Sequence, residues 1–235
     1  MAQKTVIVTG ASQGIGAAVL QAFLHRGYNV VATSRSIVNA GLAPSPNLAL
    51  VDGDIGQPAT AEKVARTAVE KFGAIDHVVN NAGIFSSKPF IDYTADEFHA
   101  FVSTNLEGFI FITQLAVRQM LSQGTGGSVT SITASLVGSP IAGLPASIPM
   151  ITKGGIDAIT LSLASEYAKN NIRFNTVAPG VVETPLHGGT PKPRSAMGTI
   201  SQPRDIAEAV VYLTEASHVT GEVLHVDDGA HVGQW

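Results

Sequence analysis

The sequence predicts an α/β fold, a doubly wound parallel sheet of about seven strands flanked by helices. Two patterns carry that expectation. Short β-branched runs alternate with longer stretches of helical spacing, and the strand runs are apolar almost throughout, as in strands buried on both faces. Size is the third observation: 235 residues, 45% of them hydrophobic, suffice for one sizeable core, so a single domain over 1–235 is expected.

Taken in order, strands are expected at Thr5–Val8, Asn29–Ser34, Leu48–Val51, Ile75–Val79, Ser128–Ile132, Arg173–Val177 and Val223–Val226. Helical spacing marks Ile15–Arg26, Thr60–Phe72, Ala95–Ser122, Met150–Lys169 and Pro203–Glu215, the last opening with a first-turn proline. Glycine and proline cluster at 124–127, 138–149 and 179–193, where loops leave the strand ends and function is expected to reside.

Charge and composition exclude several classes. The 14 basic and 18 acidic residues give a net charge of -4 without a basic run, which argues against nucleic acid as a partner. There is no cysteine, hence no disulfide, thiolate metal site or cysteine nucleophile. The seven histidines lack metal-ligand spacing, so no metal is expected. The N-terminal residues lead directly into a strand pattern, and no long uncharged apolar run follows, so a cytoplasmic protein without membrane partners is expected.

The strongest motif is Thr9-Gly10-Ala11-Ser12-Gln13-Gly14-Ile15-Gly16, between the first strand and the first helix. Its glycines permit a tight turn and close approach to a pyrophosphate, and the free N–H groups of the helix start favour an anion. The fold is therefore expected to be Rossmann-like. Ser34-Arg35 ends the second strand, where a site selective for NAD would place an acid on the ribose; a guanidinium there suits a 2'-phosphate.

This motif is joined by Asn80-Asn81-Ala82-Gly83, by Asn105 and by Pro179-Gly180. Together they resemble the short-chain dehydrogenase/reductase family over essentially the whole chain. With Arg35 suited to the 2'-phosphate, the cofactor is expected to be NADP(H), and the resemblance implies that it is bound by Gly10, Ser12, Gln13, Gly14, Ile15, Gly16, Ser34, Arg35, Asp54, Ile55, Asn81, Ala82, Gly83, Lys153, Pro179, Gly180 and Thr184. In that pattern Asp54 lies by the adenine and Thr184 approaches the carboxamide. Asn105 would kink its helix and hold a water of a proton relay. A homodimer or homotetramer is also implied.

The family's catalytic set is a serine after the fifth strand, then a tyrosine and a lysine four residues apart on one helix face. The spacing lets the ammonium lower the phenol's pKa and hold the nicotinamide ribose. Lys153 fits the lysine, and the tyrosine position then falls on Pro149. No tyrosine lies between Tyr93 and Tyr167, so a small shift of register restores nothing. Ser135, followed three residues later by Gly138, fits the serine with one residue too many before Pro149; Thr133 is the alternative. Ser147, or a water held by Asn105 and Lys153, are further candidates for delivering the proton.

Thr184 to Ser201 should form a short substrate lid, taken as 184–202, and His187 within it is a candidate substrate contact. Two functions remain in view. One is an NADP(H)-dependent oxidoreductase acting on a small carbonyl or alcohol through catalytic Lys153, Ser135 and Asn105; the other is a catalytically silent NADP-binding sensor. Loss of one general acid typically costs about 10²- to 10⁴-fold in rate, which slows such a reaction without forbidding it.

Overall fold

The computed structural model describes residues 3–187 and 192–233. Seven strands, β1 (Thr5–Thr9), β2 (Asn29–Ser34), β3 (Leu48–Asp52), β4 (His77–Asn80), β5 (Gly127–Ile132), β6 (Ile172–Pro179) and β7 (Val223–Val226), form one sheet. Their order is β3-β2-β1-β4-β5-β6-β7, and every neighbouring pair is parallel. The apolar continuity of the central strands follows from burial on both faces: Val6, Ile7 and Val8 are all 0% exposed, with Ile7 in one core and Val6 and Val8 in the other.

Helices α1 (Gly14–His25) and α6 (Pro203–Glu215) cover one face through Val19, Leu20, Phe23, Ile206 and Val210. The opposite face is covered by α2 (Pro58–Phe72), α4 (Gly108–Gln123) and α5 (Ser147–Tyr167), through Val64, Ile112, Met120 and Ile156. The short α3 (Ala95–Phe101) opens with a reciprocal cap between Thr94 and Glu97. Chain order reverses between β1 and β4, which opens a crevice beyond the carboxyl ends of the strands.

Three expected boundaries are corrected. The helix expected over Ala95–Ser122 is interrupted by a π-helical segment, Val102–Glu107, because the Asn105 side chain is engaged by backbone outside its helix. The run Ala95–Gln123 is long and apolar enough to cross a membrane by length and composition alone, yet Phe109, Ile112, Ala116 and Met120 pack in the core. Helix α5 starts at Ser147, three residues before the expected Met150, so Pro149 lies inside its first turn. A proline is tolerated there because first-turn N–H groups lack intrahelical partners. Strand β4 starts at His77; the Ile75 backbone is bonded instead by the Gln123 side chain, at 2.9 and 3.0 Å.

Beyond β7, Asp228 holds φ of +55°, a left-handed conformation that aspartate tolerates better than most residues. Its carboxylate accepts from Thr199 Oγ1 at 2.9 Å and Ser201 Oγ at 2.8 Å, and its carbonyl accepts from Met197 N at 3.1 Å. These bonds hold residues 197–201 of the expected lid against the C-terminal loop. Residues 188–191 of the expected lid, and the side chain of His187, lie outside the described part.

Candidate active site

The turn from β1 into α1 is shaped by its glycines. Gly10 and Gly14 have φ of +64° and +55°, and a Cβ on Gly16 would fall inside contact distance of Gly10 O and Asn81 Nδ2. Asn81 stitches this turn to the loop after β4, its Nδ2 donating to Thr9 O and Gly10 O, both at 3.0 Å. Thr9 Oγ1 in return accepts from Asn81 N at 3.1 Å and Ala82 N at 3.0 Å. The α1 N-terminus has no side-chain cap and no acid in its first turn, so its free N–H groups face the crevice. That cradle fits a pyrophosphate by backbone donors and by the room a Cβ would fill.

The crevice encloses about 820 Å³. Gly10, Ser12, Gln13, Gly14, Ile15, Ser34, Arg35, Asp54, Ile55, Asn81, Ala82, Gly83, Ser135, Lys153, Pro179, Gly180 and Thr184 all line it. Gly16 and Asn105 do not: Gly16 shapes the turn from behind, and Asn105 lies beneath the floor.

Lys153 supplies the floor. Its Nζ donates to Ile132 O at 2.8 Å, and a Cβ on Gly83 would come within 3.1 Å of that nitrogen and 3.2 Å of Asn105 Oδ1. Burial, opposed by the nearby Asp157 carboxylate, lowers the Lys153 pKa to about 8. Burial also raises the pKa of Asp157, against the attraction of the nearby Lys153 ammonium. Asn105 is occupied by the fold: Oδ1 accepts from Ile84 N at 2.9 Å, and Nδ2 donates to Ile84 O at 3.2 Å and Thr152 Oγ1 at 3.0 Å. Thr152 Oγ1 passes the chain on to Pro149 O at 2.9 Å.

The candidate hydroxyls separate by partner. Thr133 Oγ1 donates to Val177 O at 3.4 Å, whereas Ser135, in the turn after β5, makes no side-chain hydrogen bond among the described residues. Both line the crevice; Ser147 and Pro149 do not. No tyrosine or histidine is among the described lining residues, and no cluster of three His, Asp or Glu capable of holding a metal occurs among the described residues.

A family model described as enoyl-(acyl carrier protein) reductase matches residues 10–231. The chain belongs to the short-chain dehydrogenase/reductase family. It is 33% identical to an L-rhamnose 1-dehydrogenase (NAD(P)(+)) of Sphingomonas sp. (strain SKA58), covering 97% of this chain and 96% of that one. Identity is 36% to a 3alpha-hydroxysteroid dehydrogenase of Mediterraneibacter gnavus, over 97% and 96%. A solved 3-ketoacyl-(acyl-carrier-protein) reductase from Brucella melitensis, complexed with NADH, superposes with a TM-score of 0.92 at 28% identity, over 98% of this chain and 99% of that one.

As a short-chain dehydrogenase/reductase, the chain also has lining residues that its motifs did not reveal. Ile84, Phe85, Leu136, Ile141, Leu144 and Leu186 give the crevice an apolar wall. Apolar side chains within a Gly/Pro-rich loop were the available signal for Leu136, Ile141 and Leu144. Lys192 and Arg194 line the crevice too, and nothing in their local sequence distinguishes them from solvated surface cations.

Proposed function

We propose that the chain is an NADP(H)-dependent oxidoreductase that interconverts a small carbonyl compound and its alcohol, with Lys153 as the proton-handling group in an active site lacking the usual tyrosine. The observation that carries this reading is the buried Lys153 ammonium on the crevice floor, with its pKa lowered to about 8. A nicotinamide dinucleotide, when bound, supplies or accepts the hydride. Toward it, the α1 N-terminus and Gly10–Gly16 turn would bind the pyrophosphate, Ser34 and Arg35 the 2'-phosphate, and Asp54 and Ile55 the adenine side. Asn81, Ala82, Gly83, Pro179, Gly180 and Thr184 would border the nicotinamide half.

Ser135 Oγ would donate a hydrogen bond to the substrate oxygen, holding the carbonyl over the floor. In reduction, the carbonyl carbon gains hydride and its oxygen gains the proton leaving Lys153 Nζ; the neutral amine is then reprotonated from solvent. Oxidation reverses both transfers. A group with pKa near the working pH suits both directions. Asn105 and Thr152 position the floor beneath the lysine, Asn105 through its bonds to Ile84.

The absence of tyrosine from the described lining favours one competing reading, a silent cofactor sensor. Steady-state NADPH oxidation over a panel of aldehydes and ketones, with pH varied, decides between them. Turnover is expected, with kcat/KM for reduction falling as pH rises through about 8, because only protonated Lys153 donates. Tight NADPH binding with no turnover at any pH would establish the sensor instead. We further read the chain as one cytoplasmic domain over 1–235 with a lid at 184–202, assembling as a homodimer or homotetramer. Exposed Leu121 on α4 and Ile151 and Leu161 on α5 support the assembly.

A further inference from the structure

The crevice is cationic in a chain of net charge -4. Its charged lining residues are Arg35, Lys153, Lys192 and Arg194 against Asp54 alone, and none of the four cations forms a salt bridge among the described residues. Two are accounted for above, Arg35 at the end of β2 and Lys153 on the floor. Lys192 and Arg194 are exposed, belong to the lid, and have no role in binding or catalysis described so far.

Their place in the crevice follows from what the neighbouring lid residues touch. The lid enters over the phosphate cradle, where a Cβ on Gly14 would meet Thr184 Cγ2 at 3.2 Å. It leaves at the other end: Ser195 Oγ donates to Thr199 O at 3.1 Å, Met197 N to Asp228 O at 3.1 Å, and a Cβ on Gly229 would meet Ala196 Cβ at 3.2 Å. The next residue, Ala230, lines the crevice, and His231 O accepts from Ser139 Oγ at 3.4 Å, which brings in the loop that carries Ser135. Arg194 thus lines the crevice immediately before the turn that is anchored beside Ala230 and the loop carrying Ser135. The same crevice is lined by apolar Leu136, Ile141 and Leu144, from the loop that carries Ser135.

We propose that Arg194, assisted by Lys192, binds an oxyanion on the substrate, so that the favoured carbonyl or alcohol carries a carboxylate or phosphate on a short apolar body. This deepens the oxidoreductase reading and rests on it for the carbonyl. A guanidinium offers paired donors that match a carboxylate or phosphate, and a substrate whose apolar body sits on the crevice's apolar lining would displace water from around that pair. Neutral substrates lacking the oxyanion would leave that charge without a partner.

The test uses matched pairs: 4-oxopentanoate against its methyl ester for carboxylate, and dihydroxyacetone phosphate against dihydroxyacetone for phosphate. Each is assayed for kcat/KM and, independently of turnover, for calorimetric binding to the protein saturated with NADPH. The wild type should favour at least one anion over its neutral partner by about tenfold, a preference that shrinks with added salt. Arg194→Gln should remove most of that preference while leaving the neutral partner and NADPH affinity unchanged, and adding Lys192→Gln should remove the rest. The pair that shows the effect identifies the oxyanion. Turnover of neutral ketones with no anion preference would overturn the proposal and leave the oxidoreductase standing. Arg194-dependent anion binding without any turnover would support the oxyanion site and sink the oxidoreductase. Loss of NADPH affinity in Arg194→Gln, with anion preference intact, would assign the cation to the cofactor and overturn the proposal.

Discussion

Arg35 stands exposed at the carboxyl end of β2 and lines the crevice, while the neighbouring Ser34 and Ser36 offer hydroxyls and no competing carboxylate. Arg35→Ala should therefore weaken NADPH binding by about 1.5 to 3 kcal/mol, the range for a hydrogen bond to a charged group, and leave NADH nearly unchanged. Calorimetric titration with both cofactors checks this, and equal losses would show that Arg35 does not read the phosphate. Single residues differed in how openly they announced themselves. The glycines between β1 and α1 were legible because their spacing is a backbone requirement, and the structure shows the crowding that imposes it. Pro149 reads as a departure from the family pattern because a proline has no side-chain donor; the structure sets it in the first turn of α5. Arg194 was not, because a surface arginine and a crevice-lining one look alike until the chain is folded.

At the scale of elements, Asp228 ties the segment before α6 to the loop after β7 through Thr199 and Ser201. Asp228→Gly accepts the same left-handed backbone without strain but removes both anchors. Limited proteolysis should then cut within 195–201 several-fold faster, while the global melting temperature moves by only a few degrees. Unchanged cleavage would mean that backbone contacts alone hold the segment. The parallel strands were legible in the sequence because burial on both faces leaves an unbroken apolar run. The π-helical segment was not: Val102–Glu107 continue the helical spacing of their flanks, and the extra residue per turn is set by bonds from Asn105 to Ile84 and Thr152, far away in sequence. The start of α5 was misplaced for a related reason, since Pro149 reads as a helix opening wherever in the first turn it falls.

For the whole molecule, stability should depend on pH through His77, which is buried in β4 with Nδ1 on Ser128 Oγ at 2.9 Å. Burial, reinforced by the positive charges of Lys4 and Arg173, lowers its pKa to about 3. Above its ordinary value of 6.5 the imidazole is neutral in folded and unfolded chains and contributes nothing. Below 6.5 only the unfolded chain takes up the proton, so stability falls as pH drops toward 3, by up to about 4 kcal/mol. His77→Gln removes this dependence, and its acid-unfolding midpoint, followed by circular dichroism, should lie about half a pH unit below that of the wild type. A midpoint at or above that of the wild type would place the acid sensitivity elsewhere. The joint between Thr9 and Asn81 carries a consequence of another kind. These residues are 72 apart in sequence, and β1 meets β4 only after the chain has laid down β2, α1, β3 and α2. Closing so long a loop is slow compared with forming helices or neighbouring strand pairs. The nascent chain therefore has both walls of its crevice before it has the crevice, and until that closure it exposes an unpaired edge of β1 to any other chain it meets.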